Sequence, residues 1–82
     1  MLRENISENI KKHRLENGVS QEKLAGDAGI SVRYLQRIEA KTMTPSVMTI
    51  FKISKALGVD YSAIMSPAWQ NWLHQEHADS NR

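Results

Sequence analysis

The chain has 82 residues, a net charge of +2 and no cysteine, which bounds it to one small domain with little room for an enclosed catalytic cleft. Without cysteine there are no disulfides or thiolate zinc sites, as fits a reducing compartment. No apolar run approaches the roughly 20 residues of a bilayer span, and the opening MLRENISENIKK is too polar for a signal peptide. A cytoplasmic protein with no membrane partner is the expectation.

In chain order, the punctuation predicts a series of short helices and no strands, since no segment alternates apolar and polar residues between turn signals. The first helix is expected from about Ile6 to Asn17, ended by Gly18. Ser20 caps a second, although Lys23 stands where a full capping box would place Glu or Gln. Leu24, Ala25 and Ala28 form its apolar side until Gly29. Ser31 caps a third helix to about Ala40, with Leu35 and Ile38 facing inward.

After the loop KTMTPS, Pro45 and Ser46 open a fourth helix. Along it Val47, Ile50, Phe51, Ile53, Ala56 and Leu57 recur at helical spacing, and Gly58 stops it. Asp60 can cap a fifth, YSAIM, and Pro67 separates this from AWQNWLHQ. Short helices with short connections describe a compact all-α domain.

Charge follows this division. Residues 1–65 hold ten Lys and Arg against seven Asp and Glu, whereas residues 66–82 hold one against two. Segment 31–41 concentrates Arg33, Arg37 and Lys41 against Glu39 alone. So small an excess does not establish a nucleic-acid partner; its position is the more informative fact.

Helices two and three, QEKLAGDAGISVRYLQRIEA, carry the pattern of two helices crossing steeply. Ala25 is small where the backbones approach, Gly29 accepts a positive φ in the turn, and Leu24, Ile30, Leu35 and Ile38 supply a shared core. With GVSQEKLAGDAGIS, YLQRIE, TPS and ISKALGVD in this order and spacing, residues 6–65 resemble the lambdoid repressor and Cro-like (Xre-type) helix-turn-helix domain. The resemblance implies a five-helix DNA-binding domain over 1–65, with the motif at 21–40 and the recognition helix at about 31–40. Residues 66–82 are then a short extension whose apolar spacing suits a helix.

In that family the recognition helix enters the major groove. The resemblance places base-reading roles on Ser31, Val32, Arg33, Gln36 and Arg37. The helical wheel independently sets positions 32, 33, 36 and 37 opposite Leu35 and Ile38. Arg suits guanine, Gln adenine, and Val a thymine methyl. Gln21, Tyr34, Lys41, Thr42, Thr44 and Ser46 fall at expected phosphate contacts, which position the protein and make affinity depend on salt. Lys41 departs from the glycine common after the recognition helix, and a different helix end is expected there.

Blander roles are expected elsewhere. Arg14 and Glu39 match positions that often form a structural salt bridge in this family, and His13 matches a partly buried apolar one. His74 and His77, with Glu76 between them, have ligand spacing but too few partners for a metal site. Trp69, Trp72 and Leu73 form an i, i+3, i+4 stripe that either folds back over the core or meets a partner. Family members generally dimerise on twofold operators, often through their last helices, which makes Tyr61, Ile64, Met65 and this stripe the candidate interface.

The expected protein is a homodimeric regulator of double-stranded DNA on a pseudo-palindromic operator: a phage-type repressor, a restriction–modification controller or an autoregulator. The alternative is an antitoxin-type protein that also binds a second protein through its tail. No catalytic residue, metal or cofactor is expected, since no nucleophile–base pair, carboxylate dyad or phosphate-cradling glycine loop is visible.

Overall fold

Side-chain chemistry at the helix ends sets the boundaries of five helices in residues 2–65, the part of the chain that the computed structural model describes. They are α1 (Leu2–Glu16), α2 (Gln21–Ala28), α3 (Val32–Glu39), α4 (Val47–Leu57) and α5 (Tyr61–Met65). Helix α1 starts at Leu2, before the expected Ile6. The polar residues ahead of Ile6 contain no Gly or Pro, so nothing there interrupts a helix even though the apolar periodicity has not begun.

Three serines do the capping. Ser20 Oγ accepts from Lys23 N at 3.0 Å, Ser31 Oγ from Tyr34 N at 3.0 Å, and Ser46 Oγ from Thr49 N at 3.1 Å. Each satisfies a backbone donor that the first helical turn leaves without a carbonyl, an effect of about 1 kcal/mol.

Helix α3 ends as its neighbours do, contrary to the expectation drawn from Lys41. Thr42 N donates to Arg37 O at 3.0 Å and Lys41 N to Ile38 O at 3.1 Å, while Lys41 takes φ 66°. A non-glycine residue in this left-handed conformation costs about 1 kcal/mol relative to glycine. The Lys41 ammonium lies 2.8 Å from Glu8 Oε2 on α1, but with side chains 42% and 64% exposed this pair adds little stability.

The core draws on every helix: Ile6 and Ile10 from α1, Leu24 and Ala25 from α2, Leu35 and Ile38 from α3, Ile50 and Ile53 from α4, and Ile64 from α5. Leu35 and Ile38 are each 0% exposed, and full burial of such a side chain contributes about 1.5–3 kcal/mol. Helix α1 fastens the ends of two other helices. Its buried Ser7 hydroxyl donates to Ile38 O, and Asn9 Nδ2 donates to Ile64 O at 2.9 Å. Both carbonyls belong to last turns, where the helix itself offers no donor.

The apolar residues of α4 do not share one side: Ile50 and Ile53 are buried, whereas Val47 and Phe51 are 59% and 50% exposed, beside Met48 at 63%. Ile64, expected at an interface, is fully buried against the core and holds α5 in place. No described helix is long and apolar enough to cross a membrane.

Candidate nucleic-acid interface

Helix α3 divides along its length. Leu35 and Ile38 point into the core, while the side chains of Arg33, Gln36 and Arg37 are exposed on the opposite side. Ser31 heads the helix, exposed, with its oxygen engaged in the cap and its hydroxyl proton left to donate. Val32 is only half-exposed and packs partly on the core, so its surface is shared between fold and outer face. The outward group of α3 is therefore two guanidiniums and one amide, the donor types that pair with base edges and phosphates.

A single carboxylate sets the angle of this helix. Glu39 accepts from Arg14 Nε at 2.7 Å and from a second Arg14 nitrogen at 3.0 Å. Gln21 Nε2 adds a third bond at 3.1 Å. Arg14 also donates to Val19 O at 3.0 Å. The contacts join α1, α2 and the α1–α2 turn to the last turn of α3. The Arg14 and Glu39 side chains are only 10% and 4% exposed. Hydrogen bonding to Glu39 raises the Arg14 pKa above its ordinary value, against the opposing effect of burial.

The expected phosphate contacts divide into exposed and engaged groups. Lys41, Thr42, Thr44 and Ser46 are exposed in the α3–α4 connection. Thr42 Oγ1 donates to Arg37 O at 3.0 Å, and Ser46 Oγ lies 3.0 Å from Thr49 Oγ1. Tyr34 is half-buried, and its hydroxyl reaches Thr49 Oγ1 at 3.4 Å. Gln21 is partly buried and gives one amide proton to Glu39, which leaves its other proton and the backbone N–H groups at the start of α2 for an anion.

Two features were missed in the sequence. Lys11 lines the open groove of about 500 Å³ that Arg14, Gln21 and Gln36 also line, which puts another cation beside the outward face of α3. Its spacing three residues before Arg14 was the available signal. The second is the exposed apolar surface of Val47, Met48 and Phe51 on α4, extended by Tyr61, whose ring stacks on Phe51 with centroids 4.4 Å apart. Tyr61 and Met65 are partly buried on α5, whereas Trp69, Trp72 and Leu73, like His74 and His77, lie outside the described residues. His13 is half-buried, with Nδ1 3.6 Å from Glu16.

Two capped helices joined by a tight glycine turn, the second with a polar face turned outward, define a helix-turn-helix protein. The family model described as helix-turn-helix matches residues 10–64. The HTH-type transcriptional regulator YqaF of Bacillus subtilis, itself uncharacterised, is 43% identical over 79% of this chain and 86% of its own. The immunity repressor of Bacillus phage phi105 is 33% identical over 93% of this chain but only 51% of its own length. Among solved structures, the wild-type restriction–modification controller protein C.Esp1396I superposes with a TM-score of 0.75 at 30% identity, over 80% of this chain and 86% of that one. The chain belongs to the helix-turn-helix family of the lambdoid repressor and Cro type, a family of DNA-binding transcriptional regulators.

Proposed function

We propose that the chain binds a pseudo-palindromic duplex operator as a homodimer and regulates transcription from it, in the manner of a phage-type repressor, a restriction–modification controller or an autoregulator. The observation that carries this reading is the division of α3. Its inner residues are fully buried, while Arg33, Gln36 and Arg37 stand exposed and, among the described residues, have no side-chain hydrogen-bond or ion-pair partner. Ser31 and Val32 add contacts at the head of the helix. Gln21, Tyr34, Lys41, Thr42, Thr44 and Ser46 serve the phosphates, so that binding weakens with rising salt.

The dimer draws its support from the apolar surface on α4. Val47, Met48 and Phe51 expose large side chains side by side, with Tyr61 stacked at the edge and Met65 on the same terminal helix. Such a cluster on so small a domain favours contact with a second apolar surface. A twofold dimer would set two recognition helices on half-sites about one helical turn apart.

Selection of bound sites from random duplex DNA at stated salt tests the reading, and enrichment of an inverted repeat is the expected result. Within that site, Arg33→Ala and Arg37→Ala should each cost about 1–3 kcal/mol and relax preference at particular base pairs. An equal loss on all sequences would reduce both to phosphate contacts. Met48→Asp should shift the sedimenting species from dimer to monomer. No enriched motif from a dimeric protein would overturn the proposal.

A further inference from the structure

The ends of α1, α2, α3 and α4 close with the same pair of backbone bonds, exemplified by Ile30 N to Ala25 O and Gly29 N to Gly26 O after α2. The residue that makes the turn has a positive φ in each: Gly18, Gly29 and Gly58 at 67°, 72° and 70°, and Lys41 at 66°. Only the turn that leaves the recognition helix therefore carries a side chain, and it carries a cation. The exposed bond between Lys41 and Glu8 is by itself a weak offset for the strain. Strain at a non-glycine turn residue beside a candidate binding surface is a pointer to function.

The surroundings say what that function is. Lys41 follows the helix that presents Arg37, and Thr42 folds its hydroxyl back onto the Arg37 carbonyl. The ammonium thus stands at the corner where the proposed groove helix gives way to the backbone-contacting loop. Facing it from α1 is Glu8, 2.8 Å from Nζ. The adjacent Ser7 anchors the same end of α3 through Ile38 O, so this turn of α1 is held against the corner.

We propose that Glu8 is a positioning residue of the DNA interface that sets affinity by competing with a backbone phosphate for Lys41. In the free protein Lys41 donates to the Glu8 carboxylate. On DNA it donates to a phosphate oxygen, and Glu8 returns to water close to the negative backbone. One ion pair is exchanged for another, which holds affinity below what the cation alone would give. The inference rests on the DNA-binding reading above.

The experiment measures duplex affinity of the full chain across a salt series, on the selected site and on unrelated duplex. Glu8→Gln should tighten binding roughly threefold to tenfold on both duplexes, since the competition is indifferent to sequence. Lys41→Gly should weaken binding and lower the salt slope by about one, while its thermal midpoint stays the same or rises. Lys41→Arg should keep the slope. In the Lys41→Gly background, Glu8→Gln should lose most of its effect; a merely structural pair would move melting temperature and leave the slope alone. Wild-type protein that binds duplex while the variants keep its affinity and slope would overturn the inference and spare the DNA-binding reading. Wild-type protein without salt-dependent duplex binding would overturn that reading and the inference with it.

Discussion

Replacing Arg14 with methionine is the sharpest test of what holds α3 in place. The substitution keeps a long side chain and removes the 2.7 Å and 3.0 Å bonds to Glu39 together with the 3.0 Å bond to Val19 O. Glu39 would then keep only the Gln21 amide at 3.1 Å, with its side chain just 4% exposed. Breaking a buried pair by removing one partner costs about 3–5 kcal/mol, because the remaining charge stays desolvated.

The groove lined by Arg14, Gln21 and Glu39 is open to water, which places this case at the lower end, about 3 kcal/mol. A domain of this size has only about 3–5 kcal/mol in total, so most of its stability would go. Since the Arg14 pKa is raised, its contribution is complete below the ordinary guanidinium range and lost only above it. The deficit should therefore stay constant through neutral pH.

Urea unfolding followed by far-ultraviolet circular dichroism measures it directly, for Arg14→Met, Glu39→Met and the two together. The double variant should recover much of the loss, since apolar replacement of both partners removes the stranded charge. A single variant that loses less than about 1 kcal/mol, or a double that loses the sum of the singles, would refute the reasoning.

Gly26 lies exposed inside α2, and a Cβ there meets nothing within 4 Å. Gly26→Ala should therefore stabilise the domain by about 1 kcal/mol, read as a higher urea midpoint with DNA affinity unchanged. Ser31 has a cap role and a proposed contact role that two variants separate. Ser31→Ala should cost about 1 kcal/mol of stability, whereas Ser31→Asp should keep the cap and repel DNA, so that melting and binding diverge. If both variants melt like wild type, the cap contributes nothing.

The parts of the fold legible in the sequence are those written locally. Ser20, Ser31 and Ser46 mark three helix starts, and Gly29 and Gly58 mark two ends, because capping and positive φ depend on neighbours a few residues away. Helix α3 was readable as two-faced since its apolar residues keep to one stripe. Helix α4 was not: Val47, Met48, Ile50, Phe51 and Ile53 put apolar residues on more than one side, and periodicity cannot say which side meets the core. The bonds from Gln21 to Glu39 and from Lys41 to Glu8 cross 18 and 33 residues. Spacing holds no record of such contacts, and in the sequence Lys41 shows only as a departure from glycine.

The division of α3 also bears on how such a protein can change. Arg33, Gln36 and Arg37 hold nothing within the described domain by their side chains, while Leu35, Ile38 and Glu39 keep the helix in its seat. Exposed substitutions away from caps and ion pairs usually move stability by no more than about 0.5 kcal/mol. These three residues can therefore drift, or be redesigned, with almost no penalty in folding. On the proposed reading, two genes that start as copies need only these few codons to part company and answer to different operators, while the scaffold beneath them stays the same.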